Sequence, residues 1–186
     1  MSHHHLYAIG NALVDTEYEV SDALLARMGV SKRHMTLIDA EQRSALLAHV
    51  QGLPARRTGG GSAGNTVVAL AQLGGRGFYS CRVADDELGA FYTQDLQAHG
   101  VATNLSHTRP AAGQTGSCMV LVTPDAERTM CTYLGATAAL DPSPLAVLRD
   151  DVDDSDFRPA SRQLRGARDV VVQHPDVLSA HLSMCS

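Results

Sequence analysis

The stretch Gly59-Gly60-Gly61-Ser62-Ala63-Gly64-Asn65 decides how the rest of the chain is read. Glycines just before a helix let the backbone approach a ligand closely, and the unpaired amides of the first helical turn attract oxygen-bearing groups. Asn65, one turn in, adds a donor and an acceptor at the same spot, which suits a polyhydroxylated ligand. The same residues also read simply as a tight turn that starts a helix. Gly59-x-Gly61-x-x-Gly64 spells the dinucleotide fingerprint, with Asp85 roughly twenty residues on. That fingerprint must follow directly on a strand, however, and the polar, basic run 54–58 reads as a loop. No Gly-Lys-Ser/Thr follows, so a Walker-type phosphate loop does not fit either.

Working outward, strands alternate with helices. Upstream, 6–14 (LYAIGNALV) is an apolar run bounded by polar residues, as expected of a buried strand. Ser21 caps a short helix through Met28, ended by Gly29. Residues 36–38 read as a short strand, and Asp39 with Gln42 forms a capping box for a helix through Gln51. Downstream, the glycines open a helix through Leu73. A strand over 78–83 and a helix over 86–99 follow, the latter closed by Gly100. Two further strands, 116–122 and 128–134, flank Thr123-Pro124-Asp125-Ala126, a turn with Pro at its favoured position. This order predicts a single α/β domain with a largely parallel sheet flanked by helices. Ligands collect beyond the carboxyl ends of such strands. Asn11 and Asp15 stand there, and a carboxylate grips two adjacent hydroxyls well. A turn aspartate bonded to backbone amides reads equally well.

Composition excludes several classes of function. A formal charge of −5 argues against a general nucleic-acid binder. No apolar run approaches the ~18–20 residues of a membrane span, and the start shows no signal-peptide pattern. Residues 1–5 read as tag-like or disordered. Cys81, Cys118, Cys131 and Cys185 form no Cys-x-x-Cys pair, so buried free thiols in a reducing cytoplasm are expected rather than a zinc site.

Several blocks together resemble the ribokinase (PfkB-type) carbohydrate kinases, adenosine-kinase-like members above all. They are Gly10-Asn11-Ala12-Leu13-Val14-Asp15, the glycine loop through Asn65, and Arg82-Val83-Ala84-Asp85-Asp86-Glu87-Leu88-Gly89. Thr115-Gly116, Glu127-Arg128-Thr129-Met130 and Leu134-Gly135-Ala136 complete the set. The resemblance spans 6–142 and implies a ribokinase-like fold with a small β-sheet lid built from the strands near 16–20 and 115–130. It implies transfer of the ATP γ-phosphoryl group, assisted by Mg²⁺, to a hydroxymethyl of a sugar or nucleoside. By the same resemblance Asn11, Asp15, Gly60, Gly61 and Asn65 bind the sugar hydroxyls, Leu13 packs against a base, and Arg128 reaches the substrate or phosphate region; a salt bridge on its strand reads equally well for Arg128. A homodimer through the lid is a further implication. Ala84 and Val67 depart from the family pattern by small changes expected to be tolerated.

The larger departure is that Asp-Thr-x-Gly-Ala-Gly-Asp, the family's anion hole and general base, does not occur. Catalytic residues and most ATP and Mg²⁺ contacts are therefore expected to be absent, with the carboxyl-terminal part of the fold missing. From 143 to 186 the pattern dissolves into an acidic run (Asp150 to Asp156) and a series of arginines (158, 162, 165, 168), relieved only by Val170-Val171-Val172. This reads as a divergent tail, either poorly packed or frameshifted. Asp151-x-Asp153-x-Ser155 fails as a calcium loop because Asp156 stands at the glycine position and Arg162 at the closing acidic one.

Overall fold

The structure, a computed structural model, describes residues 4–106, 109–139 and 170–172. Among these the chain begins β1 (Leu6–Ile9), β2 (Leu13–Glu19), α1 (Asp22–Arg27), β3 (Met35–Leu37) and α2 (Ala40–His49). It continues through β4 (Arg56–Gly60), α3 (Ser62–Gln72), β5 (Gly77–Ser80), α4 (Glu87–Ala98) and β6 (Ala102–Thr103). Next come β7 (Gly116–Val122), β8 (Arg128–Tyr133), a 3₁₀ turn (Gly135–Ala139) and β9 (Val170–Val172). The acidic run, the arginine series and Cys185 lie outside the described residues.

These elements make two sheets. The body sheet, in the order β6-β5-β1-β9, is parallel throughout. The lid sheet runs β3-β8-β7-β2-β4, with β4 and β8 antiparallel to their neighbours β2 and β7. Val170–Val172, in the stretch expected to be a divergent tail, extends the body sheet on the free side of β1.

Two sequence expectations change here. The apolar run 6–14 is two strands in different sheets, because the chain leaves the body sheet at Gly10-Asn11-Ala12 and enters the lid. The run 54–58 is not wholly loop, since Arg56–Gly60 forms β4. Its side chains are mostly exposed and show no alternation, so its strand character comes from pairing with β2. A strand therefore does precede the glycines. It is an antiparallel edge strand of the lid, not the parallel strand of a dinucleotide-binding βαβ unit.

The cores follow the same division. Leu6, Ala8, Val14, Val67, Tyr79, Tyr92 and Leu96 pack together where α3 and α4 cover one face of the body sheet. Leu25, Met28, Leu46 and Val50 of the α1–α2 region cover Met119, Leu121 and Cys131 on one face of the lid. Each fully buried Leu or Val contributes about 1.5–3 kcal/mol. Local signals start the helices. Ser21 Oγ accepts from Leu24 N (3.2 Å), and the Asp39–Gln42 box is formed in both directions (2.8 and 3.0 Å). Val67 is fully buried, and a Cβ on Gly77 would lie 2.6 Å from its Cγ1, so the facing glycine makes room for the larger side chain. Ala84 is buried with Ala111 and Ala136 in a small separate cluster.

Candidate functional site

The two sheets meet at Gly10–Ala12 and at the join between β4 and α3, beyond the carboxyl end of β1. Asn11 is wholly buried there. Its Oδ1 accepts from the Thr137 hydroxyl (2.7 Å), and its carbonyl accepts from the Tyr79 hydroxyl (3.0 Å). Its Nδ2 has no partner among the described residues. Among the described residues the other unpartnered buried side-chain atom is Ser80 Oγ, at the end of β5 in register with Ile9.

Gly61 passes against the backbone carbonyl of this asparagine, and Gly60 against the Asp15 carboxylate. Gly61 has φ +91°, and a Cβ there would collide with the Asn11 carbonyl. At Gly60 a Cβ would lie 2.6 Å from the Asp15 carboxyl carbon, so that carboxylate rests on the glycine backbone. Below, the Tyr92 hydroxyl donates to the Gly60 carbonyl (2.8 Å). Burial, uncompensated by a partner among the described residues, pushes the Asp15 carboxyl up to about 6.

Strand register extends the site across the lid. Thr58, Asp15, Cys118, Thr132 and Leu37 form one transverse row on a single face. Thr132 donates to Cys118 Sγ (3.3 Å), and burial pushes that thiol up to about 12, so it stays neutral and unreactive. Leu37 at the end of the row is 42% exposed, an apolar side chain left open on the lid. The opposite face of this sheet is the one covered by α2.

The structure therefore brings Asn11, Asp15, Gly60 and Gly61 together. Leu13 joins them, buried at the start of β2 in register with Gly60 and Gly116. Asn65 lies in the first turn of α3, its amide bonded to the Gly61 carbonyl (2.8 Å) and its side chain exposed. Arg128 is not part of the cluster. It stands at the far end of β8, four residues from Thr132, exposed and 3.7 Å from Glu17. Tyr79, Tyr92 and Thr137 were not singled out from sequence. Buried aromatics on a strand and a helix read as core, and Thr137 follows β8 with no local mark.

Comparison with known proteins matches this arrangement. Residues 34–171 match the profile described as pfkB family carbohydrate kinase. The solved adenosine kinase from Sinorhizobium meliloti is 40% identical, with a TM-score of 0.65 over 81% of this chain and 43% of that one. A probable sugar kinase protein from Rhizobium etli CFN 42 is 41% identical, with a TM-score of 0.67 over 77% of this chain and 42% of its own. The Anopheles gambiae adenosine kinase, solved in complex with P1,P4-di(adenosine-5) tetraphosphate, is 25% identical, with a TM-score of 0.68 over 78% and 44%. The present chain thus spans less than half the length of each of these proteins.

Proposed function

The chain belongs to the pfkB family of carbohydrate kinases, and from that premise we propose that it carries the substrate-gripping half of a sugar or nucleoside kinase. In this reading Asp15 accepts hydrogen bonds from two adjacent hydroxyls and Asn11 Nδ2 donates to a hydroxyl oxygen. The backbone at Gly60 and Gly61 and the Asn65 side chain complete the polar contacts, while Leu13 and the open Leu37 offer apolar surface to a base. Arg128 stands apart, at the outer end of the lid beside Glu17.

The observation that supports this most is the unpaired Asn11 donor. Leaving such a group unsatisfied costs about 1–3 kcal/mol, and native proteins retain one chiefly where something else completes it. Residues 6–142 make up the kinase part with its lid, and 143–186 the divergent tail. Among the described residues no helix is long and apolar enough to cross a membrane, and in this reading the chain works in the cytoplasm.

Kinases of this family use ATP and Mg²⁺. Among the described residues no three His, Cys, Asp or Glu side chains converge to hold a cation, and Gly-Ala-Gly-Asp does not occur in the sequence. The described residues do not make up a site for a nucleotide–metal group. The chain binds and orients the hydroxyl-bearing substrate without transferring phosphate. A homodimer through the lid would use the β3 edge, because exposed Arg56 and Arg57 on β4 would face like charges across an antiparallel two-fold pairing.

Thermal melts with adenosine, ribose and fructose test the reading, alongside ADP release from ATP and Mg²⁺. Adenosine at a hundred times its Kd is expected to add about 2.7 kcal/mol of stability, with ADP release no higher than without protein. No stabilisation by any of the three sinks the substrate site. Steady ADP release sinks the claim that this chain lacks transfer machinery.

A further inference from the structure

We infer that Thr137 is a positioning residue that sets which end of the Asn11 amide faces the ligand; the inference rests on the substrate site proposed above. The two orientations of an asparagine amide have nearly the same shape, so hydrogen-bond partners select between them. Thr137 is wholly buried and comes from 126 positions along the chain. The 3₁₀ turn that carries it is tied down by Ala136 N to the Gln114 carbonyl (2.7 Å) and Thr137 N to the Leu134 carbonyl (3.2 Å). Its methyl group lies over Gly116, where a Cβ would come within 2.7 Å.

The Thr137 hydroxyl gives its one proton to Asn11 Oδ1 and has no other acceptor among the described residues. Turning the amide over would strand that proton in a buried site, at a cost of the order already given for an unsatisfied group. The orientation shown leaves Nδ2 as a buried donor without a partner among the described residues, while Asp15, against the neighbouring Gly60 backbone, is an acceptor. A donor and an acceptor together match a hydroxyl, which accepts through its oxygen and donates its hydrogen. Two acceptors would compete for a single hydroxyl proton. Thr137 thus makes the cradle selective for a hydroxyl at one sugar carbon without touching the ligand.

Calorimetric titration of wild type, T137V and T137S with adenosine, 2′-deoxyadenosine and 3′-deoxyadenosine tests this. T137V is expected to weaken adenosine about tenfold while leaving one deoxy analogue unchanged, and T137S to recover to within about threefold of wild type. Undiminished adenosine binding by T137V overturns the inference, as does equal weakening of all three ligands, the mark of a merely structural role. If wild type binds none of them, the substrate reading itself fails, a result distinct from either. Should T137V not fold, the wild-type Asn11 side-chain amide resonances, assigned by their loss in N11D, provide the readout. They must shift on saturation with adenosine and stay in place with the analogue lacking the relevant hydroxyl; resonances that ignore adenosine overturn the inference.

Discussion

Around Asn11 the chain is held by buried, neutral hydrogen bonds from Thr137, Tyr79 and Tyr92 and by the close fit of glycine backbone. At the outer end of the lid the contacts are exposed charges. Lys32 bridges Asp22 (2.7 Å) and Asp125 (2.8 Å), Arg33 pairs with Glu127 (2.8 Å), and Arg128 approaches Glu17 (3.7 Å). Bonds of the first kind are expensive to break because the freed groups stay dry. Those of the second kind contribute little and are screened by salt. The cradle therefore has one shape over a wide range of conditions, while the lid's tip can shift at small cost.

The contrast breaks most visibly at Gly61. Alanine there must hold φ near +91° with its methyl group driven into the Asn11 carbonyl. A loss on the order of 3 kcal/mol or more is expected, read as a lower urea midpoint. A Gly61→Ala chain that melts like wild type would mean the cradle is not rigid. Tyr92→Phe comes next. It removes the donor to the Gly60 carbonyl and leaves that oxygen buried and unpaired, for a loss of about 1–3 kcal/mol by urea titration.

What could be read from sequence follows the same division between local and distant causes. The Ser21 cap, the Asp39–Gln42 box and the β7–β8 hairpin around Pro124 were legible, because each is decided within a few residues; Ala126 N reaches the Thr123 carbonyl as a turn with Pro at that position requires. Asn11, Asp15, Gly60 and Gly61 were legible as candidates and do lie together. The edge strand β4 was not, since its exposed arginines carry no strand pattern and only β2 makes it one. The support beneath the cradle was not either. Tyr79 and Tyr92 act through their hydroxyls on backbone oxygens 68 and 32 residues away, and nothing near them in the chain marks that role.

Asp15 sharpens the comparison through pH. Its folded-state pKa, raised by burial to about 6, lies above the ordinary carboxylate value of 3.8. The folded protein holds this proton more tightly than the unfolded chain, so the group's favourable contribution is complete below about 4 and is lost as pH rises through about 6. At pH 7.5 the free chain therefore carries a carboxylate it would hold more easily as a neutral group. Asp15→Asn is expected to raise Tm at pH 7.5 by roughly 2–6 °C, on the order of 1–2 kcal/mol once solvent screening of a half-buried group is allowed for. The gain should vanish by pH 4. The same variant should lose adenosine binding about tenfold or more, since an amide cannot accept from two hydroxyls as a carboxylate does. A destabilised variant at pH 7.5 would show that the carboxylate is paired in the free protein.

The smallest effect belongs to the lid tip. Lys32 is held by two aspartates at hydrogen-bond distance, and both ion pairs raise its pKa, so it stays charged across the accessible range. Asp125 is correspondingly held well below the usual carboxylate range, first by the Lys32 hydrogen bond and then by that from Thr123 (2.6 Å). Such depressed values would ordinarily announce a strong interaction. Asp22 and Asp125 are exposed and Lys32 partly so, however, and water competes for these contacts. Lys32→Ala is expected to lower Tm by no more than about 2 °C in low salt and by nothing measurable in 0.5 M NaCl, where the screening length falls to roughly 4 Å. Adenosine binding should keep its wild-type affinity, because the cradle does not depend on the tip. A large, salt-resistant loss of stability would instead make Lys32 part of the lid's framework, and the division between a fixed cradle and an adjustable tip would not stand.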